Sequence, residues 1–506
     1  MASRKAETDQ EREFGVVDDR LTKRVRVEDE DALDNEEEDQ SAPRVTPQAS
    51  DLYLDTINRA KLDFDFEKVC SVSLSNINIY GCLVCGKYFQ GRGRSSYAYA
   101  HSIHEDHHVF INLETTKVYV LPDGYPVNDP SLEDIAYVLS PKFTKPYVDQ
   151  LSSKSAPLKT SYDLAQNPYI PGFIGLNNIK KNDHMNVIIH ALLHVPPLRD
   201  YLLLGSFKGK ETELVKRFAA LAKKLWNPRL FKSQVSPHEF LQEVGRESTG
   251  KFTLEKQGDP AEFLGWLLNT LHRHMGGTKK KNSSIIFSTF QGHLRQEQQQ
   301  IVVRPDTESN AKPQFDIDRE MKTTASPFLF LAVDLPPPPL FQDAVEKNII
   351  PQVSIYSILA KFDGVTTQEN AGILRRYKCQ QLPPYIILNF KRFTKNIFVE
   401  EKNPTIVNFP LRGLDFRGYL DAPPNHPSTV YDLIANVTHE STAGTTRDKE
   451  NTVYKVHLRA GGTDDDWYQI QDLIVEKTRK EMIFLGETVL QVGRATFVFV
   501  VSLTSP

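Results

Sequence analysis

The stretch Gly172-Phe-Ile-Gly175-Leu176-Asn-Asn178-Ile-Lys-Lys-Asn-Asp183-His-Met-Asn186-Val-Ile-Ile-His190 decides how this chain reads. Pro171-Gly172 is strong punctuation for a turn. Beyond it Met185, Ile188, Ile189, Leu192 and Leu193 recur at three- and four-residue spacing, which predicts a helix. Asn182 or Asp183 stands where a helix start can be capped, since backbone N–H groups there lack partners and the dipole favours negative charge. A helix N-terminus fed by a loop is also where a cysteine thiolate would be stabilised as a nucleophile. The chain offers only the carboxylate of Asp183, which is ionised at neutral pH and a far weaker acyl nucleophile. The expected role of Asp183 is a helix N-cap.

Outward from this stretch, composition sets the bounds. At 506 residues the chain can hold two or three domains, and a net charge of -4 implies no bulk attraction to nucleic acid or membrane. No apolar run approaches the roughly 18 residues that a membrane span needs, and the charged N-terminus does not read as a secretory signal. Only four cysteines occur, Cys70, Cys82, Cys85 and Cys379, and three of them cluster. That pattern argues for a metal site in a reducing compartment, not a disulfide framework.

Residues 1–50 are rich in charge and poor in aromatics, so they are expected to be a disordered tail. Lys23-Arg24-Val25-Arg26 reads equally as a nuclear import signal or as part of a solvated tail. The acidic run from Glu28 to Asp39 reads as a solvating or partner-binding segment.

Residues 51–150 are expected to form a zinc finger. Cys82-x-x-Cys85 can grip one Zn²⁺ from a knuckle turn, and His101 and His107 complete a tetrahedral Cys₂His₂ shell. His104 and His108 compete for the histidine positions, with His101 and His107 preferred. The fifteen-residue gap from Cys85 to His101 exceeds that of a DNA-reading finger, and no basic helix follows. Cys70 reads as a core residue, not a ligand.

A polar linker, 151–168, leads to a third region, 169–506, of alternating helical and strand patterns, which makes the chain α+β. Gln257-x-Asp259-x-Ala261-Glu262-Phe263-Leu264 has helical periodicity, and Leu382 to Phe393 reads as a buried strand with a basic end. Tyr431 to His439 alternates as a half-buried strand should, and Phe497 to Ser502 reads as a final strand. Pro336 to Pro339 reads as a rigid spacer.

These boxes, in this order, resemble the ubiquitin-specific proteases. Gly175, Leu176, Asn178, Met185 and Asn186 match the family's cysteine box in register, Gln257 to Leu268 its second helix box, and Leu382 to Phe393 its Leu-Lys-Arg-Phe strand. The finger resembles the one found in that family through Tyr88-Phe89-x-Gly91-x-Gly93 and Ala98-x-x-His101. The resemblance implies a papain-like body of thumb, palm and fingers with an N-terminal zinc finger. It also places Asp183 where the family carries its cysteine. Tyr454, Trp467 and Tyr468 fix the register of the histidine box, which puts Val453 at the base and Gln471 at the orienting carboxylate. Asn178, the family's oxyanion-stabilising asparagine, is kept. His457 would lie roughly 13 Å along the strand from Val453, too far to replace the base. Asp472 would point to the opposite face of a regular strand.

Such a chain is expected to be a pseudoenzyme. Ubiquitin capture by the finger is not expected, because Gly93 follows Arg92 and the Thr116–Val120 strand has no tryptophan. Only Cys379 remains in the fingers, where active relatives hold a second zinc, so no metal is expected there. Among inactive family members the pattern is most similar to the splicing branch. That implies a nuclear scaffold supporting tri-snRNP assembly or stability in the spliceosome, with snRNP proteins as partners, snRNA contacted at most indirectly and no membrane. Two alternatives stay open: a ubiquitin-binding adaptor that does not cut, and an active deubiquitinase with another nucleophile.

Overall fold

In the computed structural model the described residues are 53–152, 159–207, 212–304, 314–317, 320–337, 350–395, 400–421, 429–441, 452–461 and 466–496. The expected tail, both of its charge clusters and the expected strand from Phe497 lie outside them. The chain divides into two compact units, one comprising residues 1–61 and 68–128, the other 62–67 and 129–506. The smaller unit therefore ends at Asn128, short of the expected residue 150. Val148, fully buried, belongs to the core of the larger unit, together with Phe173 and Leu198.

The smaller unit is a five-stranded antiparallel sheet flanked by the helix Tyr97–His104. Its central strands Ile79–Cys82 and Val109–Asn112 are buried along their whole length. Ser96 caps the helix by accepting from the N–H of Tyr99 at 3.4 Å, which satisfies one orphan donor of the first turn.

In the larger unit the thumb is helical. The helix Glu213–Leu225 buries Leu214, Val215, Phe218, Leu221, Ala222 and Leu225, a single apolar stripe. Every residue of the helix Asp183–Leu193 is buried. Its apolar positions face the core as periodicity predicts, and each fully buried Leu or Ile stabilises the fold by about 1.5–3 kcal/mol. The opposite side, with His184, Asn186 and His190, is covered as well.

The palm is a sheet in the order Leu331–Asp334, Tyr385–Lys391, Glu487–Ala495, Val430–Ser441, Thr452–Arg459, Trp467–Gln471, Ile474–Thr478. Only the first of these pairings is parallel. The fingers are built on the long strand Gly292–Arg304, paired antiparallel with Ile373–Gln381 and Lys322–Phe328. The segment 62–67 is fastened to the thumb although it precedes the finger. Lys224 holds the Asp65 carboxylate at 2.9 Å and the Phe64 carbonyl at 2.8 Å, while Lys232 pairs with Asp63 at 2.7 Å.

Arg392, read as part of a basic strand end, turns inward. It is 1% exposed, and its guanidinium donates to the carbonyls of Thr488, Asn403 and Thr405. It thereby supplies a donor to each of three buried carbonyls. Lys391, one residue earlier, is the exposed cation and pairs with Asp334 at 3.0 Å.

Candidate functional sites: a Cys₂His₂ cluster and a buried carboxylate at a helix start

In the smaller unit the knuckle Cys82-Leu-Val-Cys85-Gly86 closes because Gly86 adopts φ +78, a left-handed conformation that favours glycine. Gly86 N–H then reaches the Cys82 carbonyl at 2.9 Å. The helix brings His101 over this turn, and Phe89 stacks on its ring at 4.2 Å between centroids. Asp106, at φ +58, turns the chain so that His107 faces back. Cys85 Sγ lies 3.4 Å from His101 Nε2, which is 3.1 Å from His107 Nδ1. The four donor atoms of Cys82, Cys85, His101 and His107 all fall within 4.8 Å of one another. A tetrahedral zinc shell has ligand separations of about 3.3–3.8 Å, given Zn–N and Zn–S lengths.

The competing histidines are placed elsewhere. His104 is exposed at the helix end, and His108 binds the Leu121 carbonyl at 2.7 Å and the Asp106 carboxylate at 2.8 Å. The hydrogen bond from Cys82 holds the Cys85 thiol well below its ordinary value, and the same bond, with burial, raises Cys82. One thiolate is therefore already favoured in the cluster. Cys70 is buried and accepts from the Ser73 N–H at 3.4 Å, apart from the four donors.

In the larger unit the second site surrounds the start of the helix Asp183–Leu193. Neither candidate caps it. Asn182 occupies the cap position without a capping side-chain bond. Its Oδ1 instead accepts from the N–H groups of Ile179 at 2.7 Å and Lys180 at 3.4 Å, pulling the approach loop tight. The expectation that Asp183 is an N-cap is thus corrected, because it is the first helical residue and its carboxylate turns away from the helix. Asp183 Oδ2 accepts from Gln257 Nε2 at 2.7 Å and from the backbone N–H of Tyr454 at 3.0 Å. Burial works to raise its pKa, but His184, the Tyr454 N–H and the Gln257 amide together hold it below the ordinary value.

The Asp183–Tyr454 bond sets Val453 one residue from the helix start, and Gln471 ends its strand next to Asp472. Asp472 does not point away as a regular strand would require. It sits in the two-residue turn between Trp467–Gln471 and Ile474–Thr478 at φ +51, and its Oδ2 accepts from Asn178 Nδ2 at 3.2 Å. Asn178 is thereby engaged at both ends, since its Oδ1 accepts from the Asn182 N–H at 3.0 Å. Burial raises the Asp472 carboxyl, Asn178 opposes this, and the charge of Asp183 raises it further. The same turn lies against Gly175. A Cβ there would stand 2.6 Å from Leu473 Cα, and Leu176 N–H donates to the Asp472 carbonyl at 3.0 Å.

His457 is buried and meets Gln469 Oε1 at 3.1 Å, on the adjacent strand. His439 was not singled out by sequence, yet it lies near enough to Asp183 to feel its charge. Burial and Lys402 nevertheless push its pKa down to about 3. The site therefore holds the buried carboxylate of Asp183 at the helix start, tied to the strand residue that follows Val453. Gln257, Thr452 and Asp472 complete it. The signature around Gln257 was visible in advance, and Asp472 was considered there but expected to point away; the part played by Thr452 was not foreseen.

Residues 174–498 match the family described as ubiquitin carboxyl-terminal hydrolase, and residues 70–132 match the zinc finger of ubiquitin-hydrolases and other proteins. The chain belongs to the ubiquitin carboxyl-terminal hydrolase family, with the expected zinc-finger domain ahead of the protease-like fold. The probable mRNA-splicing protein ubp10 of Schizosaccharomyces pombe is 49% identical over 470 residues, covering 91% of this chain and 92% of that protein. Ubiquitin carboxyl-terminal hydrolase 39 of Homo sapiens is 48% identical, covering 87% of this chain and 79% of the human protein. A crystal structure of an essential yeast splicing factor superposes with a TM-score of 0.70 at 28% identity, covering 88% of this chain and 99% of that one.

Proposed function

We propose that this chain is a non-hydrolytic scaffold of the spliceosome, acting in the nucleus to support assembly or stability of the tri-snRNP through contacts with snRNP proteins. The carrying observation is the buried Asp183 carboxylate, bound by Gln257 and the Tyr454 backbone, at the residue that we align with the family's cysteine. Val453 has no proton to exchange, and Gln471 is no carboxylate, so a base and its orienting partner are missing together. The names of the relatives from Schizosaccharomyces pombe and of the yeast structure supply the splicing context. In the finger, Cys82, Cys85, His101 and His107 would hold one Zn²⁺ in a structural role.

The test has two arms. Ubiquitin carrying a fluorogenic C-terminal leaving group is expected to give no turnover above buffer, and Asp183→Ala is expected to behave identically. Turnover that Asp183→Ala abolishes would overturn the reading. Affinity purification from nuclear extract is expected to recover snRNP proteins, and recovery of ubiquitin conjugates in their place would favour an adaptor.

A further inference from the structure

The palm strand Thr452–Arg459 pairs with Trp467–Gln471 only from Val456 onward. Its first residues thus present, on that side, an edge that no strand among the described residues covers. Alternate residues of a strand aim their backbone groups to the same side, so the Thr452 carbonyl and the Tyr454 N–H belong to one edge. Both are taken by side chains. Gln257 Nε2 donates to the Thr452 carbonyl at 3.1 Å, and Thr452 Oγ1 donates to Gln257 Oε1 at 2.8 Å. The Tyr454 N–H donates to Asp183 Oδ2, and the Gln257 amide joins the two acceptors by also donating to that same oxygen.

We infer that Asp183 and Gln257 act as a surrogate strand, plugging the open edge of the palm at Thr452–Tyr454 against the addition of an extended peptide. Uncovered strand edges are templates for such addition, and main-chain hydrogen bonds supply its affinity. A peptide adding here must displace an ionised carboxylate from two donors in a buried site. It must also bring its own carbonyl up to the remaining charge. Asp183 is 3% exposed and its Oδ1 has no hydrogen-bond partner, so once its bonds are broken only the His184 ring, 3.9 Å from Oδ1, is left beside the anion. A free C-terminal carboxylate would be repelled still more strongly. The plug also fastens the thumb helix to the palm across 271 residues of sequence. In this reading the residue in the nucleophile's place is a positioning residue that excludes peptide tails and fixes two subdomains.

The inference rests on the non-hydrolytic reading only in taking Asp183 as a resident of the site. Hydrogen exchange resolved to single amides on the full chain tests it. The Tyr454 amide is expected to be as protected as those of Val456 and Leu458 within the sheet. In Asp183→Ala it is expected to exchange at least tenfold faster, with Leu458 unchanged within twofold. Asp183→Asn keeps one acceptor and should fall between; it serves if the alanine variant does not fold. A Tyr454 amide that exchanges equally in the wild type and in a folded variant overturns the plug, as does one unprotected from the start. Turnover of activated ubiquitin would instead sink the non-hydrolytic reading and leave the exchange result standing.

Discussion

His190 and His194 lie one turn apart on the thumb helix and its end, with ring centroids 6.4 Å apart. Burial pushes His190 down to about 3, helped by His194. Burial also pushes His194 down to about 4, with the hydrogen bond to the His190 carbonyl opposing and Arg199 assisting. In the unfolded chain both titrate near 6.5. The fold therefore holds them neutral, and their stabilisation is complete above about pH 6.5. As pH falls the unfolded chain takes up protons that the folded one refuses. Stability should then drop by at most about 1.4 kcal/mol per pH unit for each histidine until the folded values are reached. All three tryptophans, Trp226, Trp266 and Trp467, lie in the larger unit, so intrinsic fluorescence in urea reads it selectively. His190→Leu is expected to flatten the slope between pH 6.5 and 4 by about one proton's worth; an unaltered slope would mean that His190 is not held neutral. That His190 belongs to a helix was legible in the sequence. Its complete burial was not, because periodicity identifies one face and says nothing about what covers the other.

At the scale of elements the strand Tyr385–Lys391 shows the same division. Its apolar run was legible as a buried strand, but Lys391 and Arg392 were read together as a basic end. The structure sends one outward and the other inward to three carbonyls. Burial lowers the Arg392 pKa to about 10, against the raising influence of Glu487, so the group stays charged at neutral pH. Arg392→Ala would strand those carbonyls in a dry interior, and a loss on the order of 3 kcal/mol or more is expected. Chemical denaturation followed by tryptophan fluorescence measures it; a loss below about 1 kcal/mol would mean that water replaces the guanidinium. The protease-like centre shows why elements are easier to read than their meeting points. Helix, strand and turn each announce themselves locally, whereas Asn178 and Asp472 are 294 residues apart. The left-handed turn that re-aims Asp472 follows a strand pattern that gives no sign of ending there.

Across the whole molecule the order of modules was legible, because a cysteine knuckle and a protease scaffold have different compositions. Their boundary was not, since Asp63 and Asp65 read as part of the finger until Lys232 and Lys224 are seen to hold them. Elemental analysis is expected to find one zinc per chain. Chelation is expected to expose residues 68–128 to protease while tryptophan fluorescence stays constant, because metal binding and folding are coupled in so small a unit. Loss of the fluorescence signal together with the metal would show that the two units unfold as one.

The clasp of Lys224 on Asp65 has a thermodynamic consequence. Residues 62–67 and the chain from Asp129 both belong to the larger unit, so the finger is a loop with two tied ends, not a bead on a string. When it unfolds, its roughly 60 residues remain closed on themselves, and the entropy gained is smaller than a free chain would gain by up to a few kcal/mol. The thumb thus lends the finger the kind of stability that a cross-link gives. Any zinc affinity measured on the finger cut free will understate the affinity it has when both ends are held.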